Sequence, residues 1–195
     1  MGLQLDGDFA YCLAGTKSGG VMFRRGALLF AAGLLLSGCA TTGADFAGLT
    51  QRIGPPKPGQ SRVVVLQEKA GGALGLAYCA CDVNLDGGPI GRLKPGTYVY
   101  ADRPAGRHQL LATEPMFPGE SRRDITTESG RTHFFVAKAS DRHNTVTGMT
   151  VVGGLAGMLV TSAVTSGSDN PGPVDFFPLD EAAARVTIAE LRLSE

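Results

Sequence analysis

Apolar and polar residues alternate along the middle of the chain with the two-residue period of β-strands. Residues 74–85 place Ala77, Cys79, Cys81 and Val83 on one face, and residues 63–66 form an uninterrupted apolar run. The expected strands are 62–67, 74–85, 90–93, 97–101, 108–113, 123–127 and 132–137. Because short turns rich in glycine and proline separate them, the pattern predicts a mainly β fold, a small antiparallel β-sandwich.

A second apolar segment, residues 144–168, contains no charged residue and is long enough to span a membrane. Within it, Gly153 and Gly157 form a G-x-x-x-G pair, which in a helix makes a flat groove for close helix packing. Three interpretations stay open for residues 146–164: a buried or self-associating helix, a membrane-inserting segment, or a mobile glycine-rich loop. In each of them the segment is an insertion between the last strands, and we favour a helix.

The chain after this insertion is expected to complete the domain. Residues 174–177 supply a closing strand, and Asp180 has the side chain of a helix N-cap. A short C-terminal helix over 181–191 should then turn Val186, Ala189 and Leu193 towards the domain.

The charge balance of the chain argues against a nucleic-acid partner. The net charge is zero, and from Cys39 onward there are 15 basic and 16 acidic residues. Because no basic stripe is present, a nucleic-acid partner is not expected. Without a polybasic cluster, attachment to a membrane must depend on hydrophobic groups.

Residues 22–38 have the three zones of a bacterial export signal. Arg24 and Arg25 supply the positive zone, and residues 26–36 are an uncharged apolar run that is too short to cross a bilayer. Residues 1–21 do not fit this scheme, because Asp6 and Asp8 are acidic where basic residues are expected. We interpret them as a mis-called start, with translation beginning at Met22.

The signal ends in Leu36-Ser37-Gly38-Cys39, which resembles the lipobox of bacterial lipoproteins. The resemblance implies that a signal peptidase recognises the first three residues and cleaves before Cys39. The sulfur of that cysteine would carry diacylglycerol, and its amino group a further acyl chain. Two or three acyl chains hold a protein stably on a bilayer. Because Ala40 follows the cysteine, the resemblance favours an outer-membrane lipoprotein facing the periplasm.

Residues 39–60 are expected to be the lipidated cysteine and a flexible spacer. The stretch is polar and ends in several prolines, so we expect it to be extended and to bury little surface. The folded domain is then expected over residues 61–195.

Four short motifs in order carry a resemblance to a known family. They are Val83-Asn84-Leu85-Asp86-Gly87, Ile90-Gly91, Gly96-Thr97-Tyr98 and the segment 104–110 around His108. The series resembles the bacterial lipoprotein domain known as domain of unknown function 2846 and, more distantly, small PEGA-type sandwiches. The resemblance implies a β-sandwich and an envelope location, and no reaction.

Cys79 and Cys81 raise the possibility of a redox or metal site. Same-face strand positions are too far apart for an unstrained bridge, so two small buried side chains are the favoured interpretation. A bridge at a local kink, or between two molecules, stays open. Two thiols without a further Cys or His pair do not make a zinc site, and we predict no metal and no other cofactor.

The three histidines do not suggest catalysis. His108 follows a turn, His133 falls in a strand, and His143 beside Arg142 is expected to be solvated. No nucleophile motif accompanies them, so no catalytic residue is predicted. The sequence therefore predicts a non-catalytic binding or structural lipoprotein with an unidentified envelope partner. The alternative is a protein that inserts into a membrane or self-assembles through residues 146–164.

Overall fold

A computed structural model describes residues 43–69, 79–165, 167 and 169–194 of the chain. The proposed start, the export signal and the lipobox residues Leu36, Ser37, Gly38 and Cys39 lie outside the described residues. So does the first part of the strand expected over residues 74–85.

The described residues form nine strands and three helices. In chain order these are α1 Phe46–Ile53, β1 Gln60–Gln67, β2 Cys81–Leu85, β3 Gly88–Leu93, β4 Thr97–Pro104, β5 Gly106–Thr113, β6 Glu120–Thr127, β7 Thr132–Ala139, α2 Asp141–Val164, β8 Val174–Leu179, α3 Glu181–Ile188 and β9 Arg192–Leu193. The expected mainly β fold, its helical insertion and its short C-terminal helix are confirmed.

The strands make two sheets, with the orders β8-β7-β1-β4-β9 and β3-β2-β5-β6. Most neighbours run antiparallel, but β1 pairs with β7 and β4 pairs with β9 in parallel. The main core lies between the sheets and is filled by inward residues of both, such as Val65, Leu85, Leu110 and Phe135. This alternation of inward and outward residues explains the period seen in the sequence.

The outer face of the five-stranded sheet carries a second core. Val64, Leu66, Tyr98 and Phe134 point outward there and are covered by α1 and α3. Both faces of β1 are buried, which accounts for the uninterrupted apolar run at residues 63–66.

The expectation of a wholly flexible spacer over residues 39–60 is wrong for residues 46–53, which form α1. Asp45 caps α1 by accepting a hydrogen bond from the Gly48 N–H at 2.7 Å. Phe46 is buried on this helix, with its ring 5.6 Å from that of Tyr98 and 5.7 Å from that of Phe134. The apolar face of this short helix, with Phe46 and Leu49, packs the segment onto the sheet.

The C-terminal helix begins as expected but faces the sheet with other residues. The Asp180 side chain accepts from the Ala183 N–H at 3.0 Å. Ala184 and Ile188 are the buried positions, whereas Val186 is 76% exposed. The expected orientation of Val186 was therefore wrong by part of a helical turn.

Candidate functional site

The inserted segment folds as a helical hairpin on one end of the sandwich. Ser140 caps α2 by accepting from the His143 N–H at 3.0 Å, and the helical path is broken at Gly154, where φ is 60° and ψ −152°. Only glycine adopts such a backbone readily. The break divides α2 into a first arm, residues 141–153, and a second arm, residues 155–164.

The two arms fold back against each other. A Cβ atom added at Gly157 would lie 2.5 Å from the carbonyl oxygen of Met149, and Arg142 Nε donates to Thr165 Oγ1 at 2.9 Å. Residues 23 positions apart would lie about 35 Å apart along one straight helix. We call residues 141–164 in this arrangement the apolar hairpin.

The G-x-x-x-G pair therefore does not form one groove. Gly157 makes the close approach between the arms, whereas a Cβ atom at Gly153 would meet nothing within 4 Å. The break at Gly154 places the two glycines on different arms. The interpretations of this segment as a fully buried helix or as a loop are also wrong, since it is helical and largely exposed.

The apolar hairpin carries most of the exposed hydrophobic surface that the structure describes. Of the eleven large hydrophobic residues that are exposed there, seven belong to it. They are Met149, Val151, Val152, Leu155, Leu159, Val160 and Val164. By length and composition the segment could cross a membrane, but the break at Gly154 folds it into two short arms. Contiguous exposed apolar surface of this kind marks a contact site for a partner or a membrane.

A buried polar cluster fixes the hairpin to the sandwich. Arg142 is 6% exposed and donates to the carbonyl oxygens of Pro118 and Pro171 as well as to Thr165. Its guanidinium lies 5.1 Å from the centre of the Phe117 ring. The cation thus joins the β5–β6 turn, both arms and the segment that returns to β8. We call Arg142, His143, Glu114 and Phe117 the hairpin base.

The expectation that His143 is solvated is wrong. It is 3% exposed, its Nε2 lies 2.9 Å from Glu114 Oε2, and its ring centre lies 5.3 Å from that of Phe117. Ser140 is the N-cap of α2, three residues before His143. The first helical turn therefore carries His143 into the sandwich rather than towards solvent. The pair contributes to the attachment of the hairpin.

His108 occupies a second polar cluster, at the β2–β3 turn. Its Nδ1 lies 2.7 Å from Asp86 Oδ2 and its Nε2 lies 2.8 Å from the Pro104 carbonyl oxygen. Asp86 and Gly87 both have positive φ, as the tight two-residue hairpin turn requires. The histidine therefore ties two turns together.

Asp86 itself is held in its charged form. Burial raises its pKa, but hydrogen bonds from the Gln109 N–H and His108, with the positive charges nearby, lower the pKa below its ordinary value of 3.8. Because the pKa is lower in the folded chain, Asp86 stabilises the fold above about pH 4, and this stabilisation is lost as the pH falls through the lowered pKa.

We expect Asp86→Asn to lower the free energy of unfolding at neutral pH by at most about 1 kcal/mol, since the carboxylate is 40% exposed. Asparagine tolerates the same positive φ, so the turn is kept and only the charge is lost. Denaturant titrations between about pH 2.5 and 7 should show that the difference in free energy of unfolding between the variant and the natural protein becomes smaller at the acidic end. A difference that is constant with pH would contradict this role.

His133 is half-buried in β7. Its Nε2 accepts a hydrogen bond from the Glu128 N–H at 2.9 Å, which requires an unprotonated nitrogen. Burial also lowers the pKa of His133. The ring is therefore neutral at physiological pH and closes the β6–β7 turn.

Cys79 and Cys81 form a disulfide, which corrects the preferred expectation of two free thiols. Their Cα atoms are 5.4 Å apart, less than the roughly 6.7 Å between alternate residues of a strand. The bridge forms because β2 begins only at Cys81 and Cys79 precedes it. Both cysteines are fully buried in the main core. Within the part of the chain that the structure describes, no group of three or more His, Cys, Asp or Glu side chains could hold a metal ion.

Most of this sandwich is similar to a known family. Residues 57–151 match the family model described as a protein of unknown function, DUF2846. The DUF2846 match covers β1 to β7 and the first turns of the apolar hairpin, and it includes the four motifs between Val83 and Leu110. No curated protein gives a significant match.

Proposed function

We propose that this protein is a lipid-anchored lipoprotein of the bacterial cell envelope that acts as a non-catalytic binding or structural module. The pattern that carries the proposal is the ordered series of two arginines, a short apolar run and Leu36-Ser37-Gly38-Cys39. Acyl chains on Cys39 would hold the DUF2846 domain at a membrane, and Ala40 after the cysteine favours the periplasmic face of the outer membrane. A more distant kinship with PEGA-type sandwiches is part of the same proposal.

A non-catalytic role is supported by how the candidate reactive groups are used. His108 joins two turns, His133 accepts from a backbone N–H, and His143 is buried against Glu114. The two thiols are consumed in a bridge. Each of these groups is bonded within the fold, which supports a structural role for it rather than one as an acid, base or nucleophile.

The apolar hairpin is the surface through which we expect the module to act. Exposed valines and leucines on two short arms are costly in water and gain free energy when they are covered. The same surface supports the second candidate function, in which the hairpin inserts into a membrane or assembles with other copies.

Acylation of Cys39 tests the proposal directly. We expect mass spectrometry of the protein from its native membrane to find residues 22–38 removed and acyl chains on Cys39. Cys39→Ala should abolish this modification, whereas the matched variant Cys12→Ala should keep it, because residue 12 precedes the proposed start. An unacylated natural protein that retains its export signal would overturn the proposal.

A further inference from the structure

We infer that the apolar hairpin enters the periplasm-facing leaflet of the same lipid bilayer that holds the acyl chains of Cys39. The protein would then be attached at two points, lipid and hairpin, which fix the orientation of the sandwich on the membrane. The inference rests on the proposed function, because it requires the lipid on Cys39.

The strand register places the hairpin and β9 at one end of the five-stranded sheet. The hairpin leaves β7 after Ala139 and returns at the start of β8, and Ala139 pairs with Val174. Since β7 is parallel to β1, this end is the one where Gln67 pairs with Thr97. β9 lies at the same end, because Arg192 pairs with Thr97.

The first described residues reach the sheet at that end as well. The carbonyl oxygen of Ala44 accepts from the Leu193 N–H at 2.8 Å and from the Tyr98 hydroxyl at 3.1 Å. Burial raises the pKa of Tyr98 to about 12, so this hydroxyl remains a donor. Cys39 precedes Gly43 by four residues, which span at most about 14 Å. Three strand spacings, about 14 Å, separate β9 from β7. One membrane can therefore receive both groups.

The length of the hairpin suits one leaflet. Val146 is the last buried residue of the first arm, and the turn at Gly154 is eight residues further on, about 12 Å along a helix. The hydrocarbon part of one leaflet is about 15 Å thick. Two arms folded at Gly154 therefore enter a leaflet without crossing the bilayer.

The lack of charge and the hydrogen bonding of three hydroxyls favour contact of the hairpin with lipid. No residue between 144 and 168 is charged, and the nearest charges are Arg142 at the base and Asp169 after the second arm. The hydroxyls of Thr145, Thr150 and Thr161 donate to the carbonyl oxygens four residues earlier, at 2.8 to 2.9 Å. Hydroxyls satisfied within a helix lose little on entering hydrocarbon.

The test places a reporter on the hairpin of the full, lipidated protein in vesicles of phosphatidylethanolamine and phosphatidylglycerol. Val152→Cys carries an environment-sensitive fluorophore at a position that is 85% exposed. Val186→Cys on α3, 76% exposed, is the matched control. Labelling is selective because Cys79 and Cys81 are bridged, Cys39 carries lipid by the proposal, and Cys12 lies before the proposed cleavage site.

We expect lipid-borne quenchers to reach the Val152 reporter. Aqueous iodide should quench it about tenfold less than the Val186 reporter, since burying one such side chain in hydrocarbon is favoured about tenfold or more. Leu155→Cys, on the second arm, should behave like Val152→Cys. Equal iodide quenching at positions 152 and 186 would overturn the inference. The inference would also be overturned if iodide quenching at position 152 fell as more protein was added per vesicle and labelled copies showed energy transfer to each other. The hairpin would then be covered by a second molecule.

Mass spectrometry of the same sample separates this inference from the proposed function. Acylated protein with a water-exposed hairpin refutes the two-point attachment alone. Unacylated protein refutes the proposed function, whatever the hairpin does.

Discussion

Arg142→Met is expected to lower the free energy of unfolding by about 3 kcal/mol, one of the two largest effects that we predict for a single side chain. Arg142 is 6% exposed and donates to two carbonyl oxygens of the loops around it and to Thr165 on the second arm. Methionine fills a similar volume but has no donor. The carbonyl oxygens would then stay buried without partners.

Denaturant unfolding of the detergent-solubilised full-length protein measures this effect. Arg185→Met is the matched control, because Arg185 is 59% exposed and pairs with Glu181 one helical turn away. Such surface pairs contribute less than about 0.5 kcal/mol. Hydrogen exchange should also show faster exchange over residues 141–164 in Arg142→Met alone. If the two variants unfold alike, the hairpin base does not hold the hairpin.

The sandwich could be predicted because its pattern is local. Strand alternation and turn residues such as Asp86-Gly87 depend on neighbours in the sequence, and these predicted seven of the strands at nearly their observed positions. The parallel pairing of β1 with β7 could not be predicted in this way. It joins residues about 70 positions apart, as Arg62 with Thr132, and no local pattern specifies that neighbour.

Two of the errors share one physical cause, which is tertiary burial of segments with polar sequences. Phe46 and Leu49 make residues 46–53 a docked helix rather than a spacer, because both side chains pack into the core on the outer face of the five-stranded sheet. Arg142 and His143 look like surface residues until the β5–β6 turn brings Glu114 and Phe117 to them. The disulfide depends on where β2 begins, and strand boundaries are the least certain part of a sequence pattern.

The candidate site was predicted as an insertion but not as a hairpin. Its apolar composition, absence of charge and place between the last two strands follow from the sequence. The break at Gly154 does not, because Gly148, Gly153 and Gly157 are equally permissive. What selects Gly154 is the return of the second arm to the first, where Arg142 bonds Thr165 at the end of the second arm, a contact that only the folded chain shows.

Gly157→Val is expected to lower the free energy of unfolding by about 2 to 3 kcal/mol by forcing the arms of the hairpin apart. The first added carbon would lie 2.5 Å from the Met149 carbonyl oxygen, and two methyl groups would extend from it. Backbone atoms of the facing arm cannot move aside as a flexible side chain would. The arms must therefore separate or the turn at Gly154 must open.

Gly148→Val is the control, because Gly148 is exposed on the first arm and a Cβ atom there meets nothing within 4 Å. Valine has a somewhat better helix propensity than glycine, so this variant should be neutral or slightly more stable. Paired spin labels at Thr147 and Ser162 should report a longer distance between the arms in Gly157→Val and an unchanged one in Gly148→Val. An unchanged distance in both would mean that the arms do not meet at Gly157, and a straight helix spanning the bilayer would then replace the leaflet-deep hairpin.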